Sequence, residues 1–323
     1  MTSLKRVLVT GGAGFIGSHL IDKLLSEGIK VVCLDNFDDY YSPAIKRANV
    51  ARHMCPNYQI MNGDIRDKLL LTGLFSRNDF DGVIHLAAKA GVRESIKDAC
   101  EYYDVNVVGT VNLLEACAKH NVKKFVFASS SSVYGDKRMP LLHESVETDS
   151  PISPYAATKK AGEIACYAAH YNHGIDIACL RFFTVYGPRQ KPGMAISKFT
   201  RLIMADENVP IYGPGDSSRG YTYIDDIVDG IISATRTALG FAILNLGGKD
   251  KINILDLVAM IEKAVGRKAH TKHLPKYPCD VLSSRADISK ARALLQWSPT
   301  IGIEEGVKRF VTHMRQDSEE KGR

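Results

Sequence analysis

Little in the 323-residue chain commits it to a membrane, an extracellular or a nucleic-acid setting. Its seven cysteines include no CxxC pair, and the odd count argues against a disulfide framework. Reduced thiols in a cytoplasmic setting are therefore expected. No apolar run is long enough to cross a bilayer, and no secretory leader is read: residues 4–8 are interrupted by Lys5 and Arg6. A membrane partner is not expected. Basic residues number 42 against 36 acidic, a net charge of +6, but they are spread along the chain. Without a basic run interleaved with aromatics, nucleic acid is not an expected partner, while a small anionic ligand is compatible. His85 and His143 stand alone, without metal-ligand spacing, and are read as structural or solvated, so no metal is expected. There is no internal repeat and no low-complexity segment. With 45% hydrophobic residues the chain can bury a large core, and it is long enough for two ordinary domains.

What is present is a pair of motifs. Thr10-Gly11-Gly12-Ala13-Gly14-Phe15-Ile16-Gly17 lies near the start and Tyr155-Ala156-Ala157-Thr158-Lys159 in the middle. Arg6-Val7-Leu8-Val9 predicts a buried strand, and an apolar-periodic helix follows over 18–27. Between them Gly11, Gly14 and Gly17 permit a tight turn, a close backbone approach to a pyrophosphate, and close helix–strand packing. The next strand, Lys30-Val31-Val32-Cys33-Leu34, ends in Asp35. A carboxylate there suits an adenosine ribose 2′-hydroxyl and repels a 2′-phosphate. No Arg or Lys follows until Lys46, so NAD is expected rather than NADP.

Strand and helix patterns alternate to about residue 180. They predict an α/β fold, a Rossmann-type doubly wound parallel sheet covered on both faces. Gln59-Ile60-Met61 leads to Asp64-Ile65, a strand end able to meet an adenine. Gly82-Val83-Ile84-His85-Leu86 ends at Ala87-Ala88, small residues that a cofactor can pass closely. Long helices are predicted over 102–120 and 156–172, and strands over 124–128 and 175–180. Beyond that, Gly187-Pro188, Pro192-Gly193 and Gly213-Pro214-Gly215 predict a smaller C-terminal substrate-binding lobe built from loops. The domains are expected at 1–180 and 181–323, partly interwoven because a strand over 242–246 returns to the first. The polar tail after Thr312 is expected to fray. Cys100, Cys117 and Cys166 are placed in the core, and Asp225-Asp226 is read as a helix N-cap rather than a metal site.

The chemistry gathers at one sheet edge. Phe125-Val126-Phe127-Ala128 delivers Ser129-Ser130-Ser131-Ser132 to its carboxyl end, where open parallel sheets bind ligands. Tyr155 starts the next helix and Lys159, at i+4, shares its face. A free tyrosine, with a pKa of about 10, is a poor base at neutral pH. A neighbouring ammonium and a positive nicotinamide ring are expected to lower that value, so that Tyr155 takes a hydroxyl proton while hydride leaves the same carbon. Ser130 is expected to steady the substrate oxygen.

With these residues in place, the chain resembles the extended short-chain dehydrogenases/reductases of the nucleotide-sugar epimerase/dehydratase group. The likeness runs nearly end to end, through His85-Leu86-Ala87-Ala88 to Arg219-Gly220-Tyr221-Thr222-Tyr223-Ile224-Asp225-Asp226 and Ala286-Asp287-Ile288-Ser289-Lys290-Ala291. Asp35-Asn36-Phe37-Asp38-Asp39-Tyr40-Tyr41, Ala90-Gly91-Val92-Arg93-Glu94-Ser95 and residues 181–192 are similar to UDP-glucuronate 4-epimerases in particular. The resemblance implies that C4 of a UDP-sugar is oxidised to a ketone with NAD bound, the ketone turns, and hydride returns to its other face. It implies Tyr155 as acid/base, Lys159 as its partner and Ser130 as the catalytic serine. Phe15, Ile16, Asn36, Leu86 and Asn106 join the glycines, Asp35, Asp64, Ile65, Ala87 and Ala88 around the cofactor. Thr184 and Lys191 fall where this subfamily holds the sugar carboxylate, and Arg219 where the diphosphate is gripped. Arg93, Arg189, Ser131 and Ser132 complete the substrate residues, with Arg93 either facing the sugar or capping a loop. A homodimer built on helices around 105–118 and 157–171 is also implied. Lys191 stands where these epimerases usually carry Arg, keeping the charge without the bidentate fork. Gly220 stands where they usually carry Asp.

Ser131 and Ser132 separate the reactions of the group. The resemblance places an Asp-Glu pair there in dehydratases and a Glu in decarboxylases, and neutral hydroxyls cannot do that proton work. Epimerisation, which needs no second acid, is favoured. UDP-glucose and UDP-N-acetylglucosamine remain open as alternative substrates, as does a non-catalytic NAD-sensing role, which the intact Ser130, Tyr155 and Lys159 argue against.

Overall fold

A computed structural model of the chain describes residues 4–51, 53, 55–137, 139–277 and 281–321, with side chains to 317 in the last helix. The strands, in chain order, are β1 (Arg6–Thr10), β2 (Lys30–Asp35), β3 (Tyr58–Asn62), β4 (Gly82–His85), β5 (Lys124–Ser130), β6 (Asp176–Phe182), β7 (Thr184–Tyr186), β8 (Asn208–Tyr212), β9 (Ser218–Tyr223), β10 (Phe241–Leu246), β11 (Lys251–Asn253), β12 (His270–Leu274) and β13 (Ser283–Ser284).

Seven of them form one sheet in the order β10-β6-β5-β4-β1-β2-β3, every neighbouring pair parallel. The chain winds outward in both directions from β1, so the crevice beyond the carboxyl ends of β1 and β4 is the topological switch point, where ligands bind in such sheets. Alternate residues of each strand serve opposite faces. Val7 and Val9 join one core with Leu20, Ile21 and Leu24 of the helix Phe15–Ser26, while Leu8 joins another with Leu71, Leu74, Leu113 and Leu114. Helices cover both faces, as the near-continuous apolar strands require.

The later part of the chain is more regular than its glycines and prolines predict. β9 pairs with β7, β11 and β13, and β8 pairs with β12. The helices Ala195–Met204 and Ile254–Val265 pack here. β10 returns as the edge of the large sheet, beside β6. One apolar core includes Val9 and Leu180 of that sheet together with Val209, Ile211 and Leu257, so the large sheet and the later elements share an interior.

Four readings are corrected. The helix expected over 102–120 is two helices, Ala99–Tyr103 and Gly109–Lys119, joined through a π turn at Asp104–Val108 that presents Asn106 inward. Cys100, placed in the core, is exposed, whereas Cys117 and Cys166 are buried. Asp226 does not cap its own helix: Tyr223 holds that position, and the Asp226 carboxylate accepts from Thr300 N–H and Oγ1 (both 2.8 Å) and Ile301 N–H (3.1 Å). The helix Ile303–Lys321 carries the chain past Thr312, where fraying was expected.

Candidate active site

At the end of β1 the chain turns at Gly11, with φ +69°. A Cβ there would lie 2.6 Å from the Ala87 nitrogen, and one on Gly17 would lie 2.3 Å from the Gly11 carbonyl oxygen. Backbone would have to move in both cases, so the turn and the helix approach require glycine. The helix Phe15–Ser26 then begins with no side-chain cap and no acidic residue in its first turn. Its positive end meets a cavity of about 620 Å³ lined by Gly11, Gly14, Phe15, Ile16 and Gly17, which suits a pyrophosphate.

Asp35, Asn36, Asp64 and Ile65 line the same cavity, and Leu86, Ala87 and Ala88 form its floor. Asp35 Oδ2 accepts from Ala13 N–H (3.0 Å) and Oδ1 from Phe37 N–H (2.9 Å), so it also organises the turn. Burial pushes its carboxyl up, against those bonds and the charge of Lys46. Asp64 is held by Arg66, with Nε at 2.9 Å and Nη2 at 2.8 Å, and its pKa falls to about 2. Asn106 does not line the cavity. It accepts from Lys89 N–H (2.8 Å) and donates to Lys89 O and Thr158 Oγ1 (both 3.0 Å), tying the loop after β4 to the Tyr155 helix. The donor and acceptor set fits a dinucleotide.

β5 and the helix Pro154–His173 supply the candidate reacting groups. Ser153 caps that helix, its Oγ accepting from Ala156 N–H at 3.2 Å, and Pro154 opens it, so Tyr155 is held in its first turn. Ser130 Oγ accepts from Ser132 N–H (3.1 Å), and Ser130 and Tyr155 line the same cavity. Burial raises the Tyr155 pKa and the nearby Ser130 hydroxyl opposes it. Lys159 Nζ donates to Ala128 O at 2.8 Å, and burial lowers its pKa to about 8. The expected lowering of the phenol is therefore not a property of the protein alone, because desolvation prevails and Lys159 is turned to a carbonyl. Behind this edge the Arg181 guanidinium binds Glu163 by two bonds (Nε 2.8 Å, Nη2 2.7 Å), and Ser129 Oγ donates to Glu163 at 2.6 Å. His85 is structural: Thr10 Oγ1 and Thr110 Oγ1 contact its two ring nitrogens at 2.7 and 2.9 Å, and burial lowers its pKa to about 3.

A second cavity, about 600 Å³, shares Tyr40, Tyr41, Val92, Thr184, Lys191 and Met194 with the first. Ser131 and Ser132 line the first; Arg93 and Arg219 line the second. The Arg93 guanidinium lies over two adjoining rings, Tyr212 (4.4 Å) and Tyr277 (4.0 Å), a contact that neither the sugar-facing nor the capping reading anticipates. Arg219 Nη1 donates to Ser218 O at 2.9 Å, and its Nη2 to Val281 O. Lys191 Nζ donates to Tyr40 Oη at 3.2 Å; burial lowers its pKa and Glu94 opposes that. Arg189 lines neither cavity. Its backbone φ is +62°, and its guanidinium binds Asp22 (2.6 Å) and His19 (3.1 Å) on the first helix. At Gly220 an added Cβ would meet nothing nearer than 3.7 Å, and nothing in the structure explains glycine there.

The sequence reading missed Lys46, Tyr40 and Glu94. Lys46 was discounted for its distance along the chain, yet the helix Pro43–Ala51 returns it to the cavity, where Nζ donates to Asp38 O (2.7 Å) and Oδ1 (3.0 Å). Among the described residues no cluster of three or more His, Cys, Asp or Glu is placed to hold a metal, and no helix is long and apolar enough to cross a membrane.

The GDP-mannose 4,6 dehydratase family matches residues 8–310. A UDP-glucuronate 4-epimerase of Thermodesulfobacterium geofontis is 42% identical over 97% of both chains. Among solved structures, UDP-glucuronic acid 4-epimerase from Bacillus cereus, in complex with UDP-glucuronic acid and NAD, is 39% identical with a TM-score of 0.91, covering 96% of this chain and 99% of that one. UDP-glucose 4-epimerase from Thermotoga maritima, with UDP-glucose, is 31% identical with a TM-score of 0.90 over 97% and 99%.

Proposed function

The chain belongs to the nucleotide-sugar epimerases and dehydratases of the GDP-mannose 4,6 dehydratase family, and we propose that it is an NAD-dependent UDP-glucuronate 4-epimerase, an isomerase forming UDP-galacturonate. The observation that carries the reading is the meeting of two cavities. A dinucleotide-shaped one holds Ser130, Tyr155 and Lys159, and it opens beside Thr184 and Lys191 into one large enough for a nucleotide sugar.

The glycine turn, the first helix, Asp35 and Lys46 would hold NAD, which would supply reversible hydride chemistry at C4. The protein's own part is proton transfer and positioning. Ser130 donates to the C4 oxygen, and Tyr155 removes its proton as the ketone forms and returns it as the ketone is reduced. Burial keeps Tyr155 protonated until a positive charge is brought beside it, which couples its ionisation to a loaded site. The uridine diphosphate is gripped by Arg219 while the sugar turns. Oxidation at C4 makes a β-keto acid of UDP-glucuronate, and that acid loses carbon dioxide when the C5–carboxylate bond aligns with the carbonyl π system. Thr184 and Lys191 hold the carboxylate out of that alignment, a hydroxyl and an ammonium on its two oxygens.

On this reading residues 181–323, less β10, make the nucleotide-sugar lobe, and the working unit is a cytoplasmic homodimer. Ile164, Tyr167 and Tyr171 support the dimer, being 59%, 54% and 79% exposed on the helix Pro154–His173. Light scattering tests the dimer. Incubation with UDP-glucuronate, UDP-glucose and UDP-N-acetylglucosamine, with identification of the sugar products, tests the activity. UDP-galacturonate is the expected product; a UDP-pentose or a dehydrated sugar as the main product overturns the reading.

A further inference from the structure

The sugar cavity holds a charge that the substrate reading does not require. Glu94, on the short helix Val92–Ser95, lines it together with Thr184 and Lys191. Tyr40 stands between the two charges: Lys191 Nζ donates to Tyr40 Oη at 3.2 Å, and the Tyr40 hydroxyl and a Glu94 carboxylate oxygen face the same point beside Gly91. Glu94 Oε2 and Tyr40 Oη each lie 2.4 Å from where a Cβ on Gly91 would stand, so both oxygens converge on a space that glycine alone leaves open. A carboxylate is thus already beside the cation proposed to anchor the substrate's carboxylate.

Two anions then compete for one cation. An incoming C5 carboxylate is attracted by Lys191 and repelled by Glu94, and the partly enclosed cavity screens neither fully. A neutral hexose brings a C6 hydroxyl instead. That group can accept from Lys191 and donate to Glu94 or Tyr40, with no like charge to overcome. We propose that Glu94 is a specificity-determining residue which, through Tyr40, offsets the Lys191 charge and admits neutral UDP-hexoses as a second substrate class beside UDP-hexuronates. The inference rests on Lys191 as the carboxylate anchor in the epimerase reading.

The test measures binding of UDP-glucuronate and UDP-glucose to the NAD-loaded protein by calorimetry, and turnover of each by product analysis, for wild type, Glu94→Gln and Glu94→Asp. Wild type binds both sugars. Glu94→Gln, isosteric and without the charge, shifts the ratio of dissociation constants toward UDP-glucuronate by about tenfold, and the shift shrinks at high salt. Glu94→Asp keeps the charge and stays within about threefold of the wild-type ratio. Failure of wild type to bind UDP-glucose, or a ratio unchanged in Glu94→Gln, overturns the proposal. If the ratios behave as stated but neither sugar is epimerised, the epimerase reading fails while the role of Glu94 stands.

Discussion

Replacing Glu163 by glutamine should destabilise the protein through one buried guanidinium. Arg181 is 1% exposed and Glu163 2%, and they meet by two short parallel bonds. The Arg181 guanidinium also lies 4.8 Å from the Tyr134 ring, whose hydroxyl donates to Asn245 at 2.7 Å, so the pair is built into a larger polar network. An amide in place of the carboxylate offers one acceptor and turns two donors toward a cation that has no other bonded carboxylate among the described residues. Breaking a buried pair in this way costs about 3–5 kcal/mol. In a chain of this size that is a fall in Tm of roughly 4–8 °C. Thermal unfolding followed by circular dichroism reads it directly. The second half of the prediction is non-additivity. Arg181→Met should cost a similar amount alone, but the double variant, with the stranded charge gone, should cost clearly less than the sum. Because Glu163 lies one turn beyond Lys159 and also holds Ser129, next to Ser130, kcat should fall more than KM rises in Glu163→Gln. A Glu163→Gln protein as stable as wild type, or strictly additive costs, refutes this account.

Tyr155→Phe should still bind NAD and UDP-sugar but lose about 10²–10⁴-fold in turnover, since packing is kept and the proton acceptor is removed; near-normal kcat rules out the acid/base role. Asp35→Ala should weaken NAD, narrow its advantage over NADP in paired titrations, and lower Tm, because it also frees the Ala13 and Phe37 N–H groups. An unchanged NAD/NADP ratio removes Asp35 from the ribose site. Lys191→Ala should raise KM for UDP-glucuronate far more than for UDP-glucose and release some UDP-pentose; unaltered UDP-glucuronate kinetics break the carboxylate assignment. The Lys159 pKa is about 8 when folded, against 10.5 ordinarily, so the unfolded chain binds the extra proton between those values and stability rises with pH across that window. Relative to Lys159→Met, the protein should gain about 3 kcal/mol from pH 8 to about 10.5 in denaturant titrations, and a loss there contradicts the burial of the ammonium.

The fold was legible because its signals are local and repeated. Val7, Leu8 and Val9 are apolar in succession, which suits a strand covered on both faces, and Gly11, Gly14 and Gly17 mark a turn whose steric demands can be read without coordinates. The π turn at Asp104–Val108 escaped because it spans five residues, too few for its wider bonding to stand out against the flanking α-helical pattern. The later elements escaped because β7, β11 and β13 are three, three and two residues long, too short for any periodicity, and Gly213 and Gly215 punctuate connections between strands and helices rather than fill a lobe built from loops.

The placing of Ser130, Tyr155 and Lys159 around one cavity was legible for the same reason, since Ser130 ends a strand and Tyr155 and Lys159 share one helical face. The walls around them were not. Lys191 meets Tyr40 across 151 positions of sequence, and the charge that opposes it comes from Glu94, on a third segment. No spacing rule links such residues; only the parallel sheet, which brings the ends of successive strands to one edge, makes them neighbours. Arg189 shows the converse. It lies two positions before Lys191 in a stretch similar to the epimerases, yet a left-handed backbone turn sends it to Asp22 on the cofactor helix. Membership in a motif therefore places a residue in a loop, and the backbone turn within that loop decides which side chains line the cavity. The ion pair between Arg189 and Asp22 then ties the Lys191 loop to the helix Phe15–Ser26, whose start lines the first cavity, so the two cavities are held in register by a residue that lines neither.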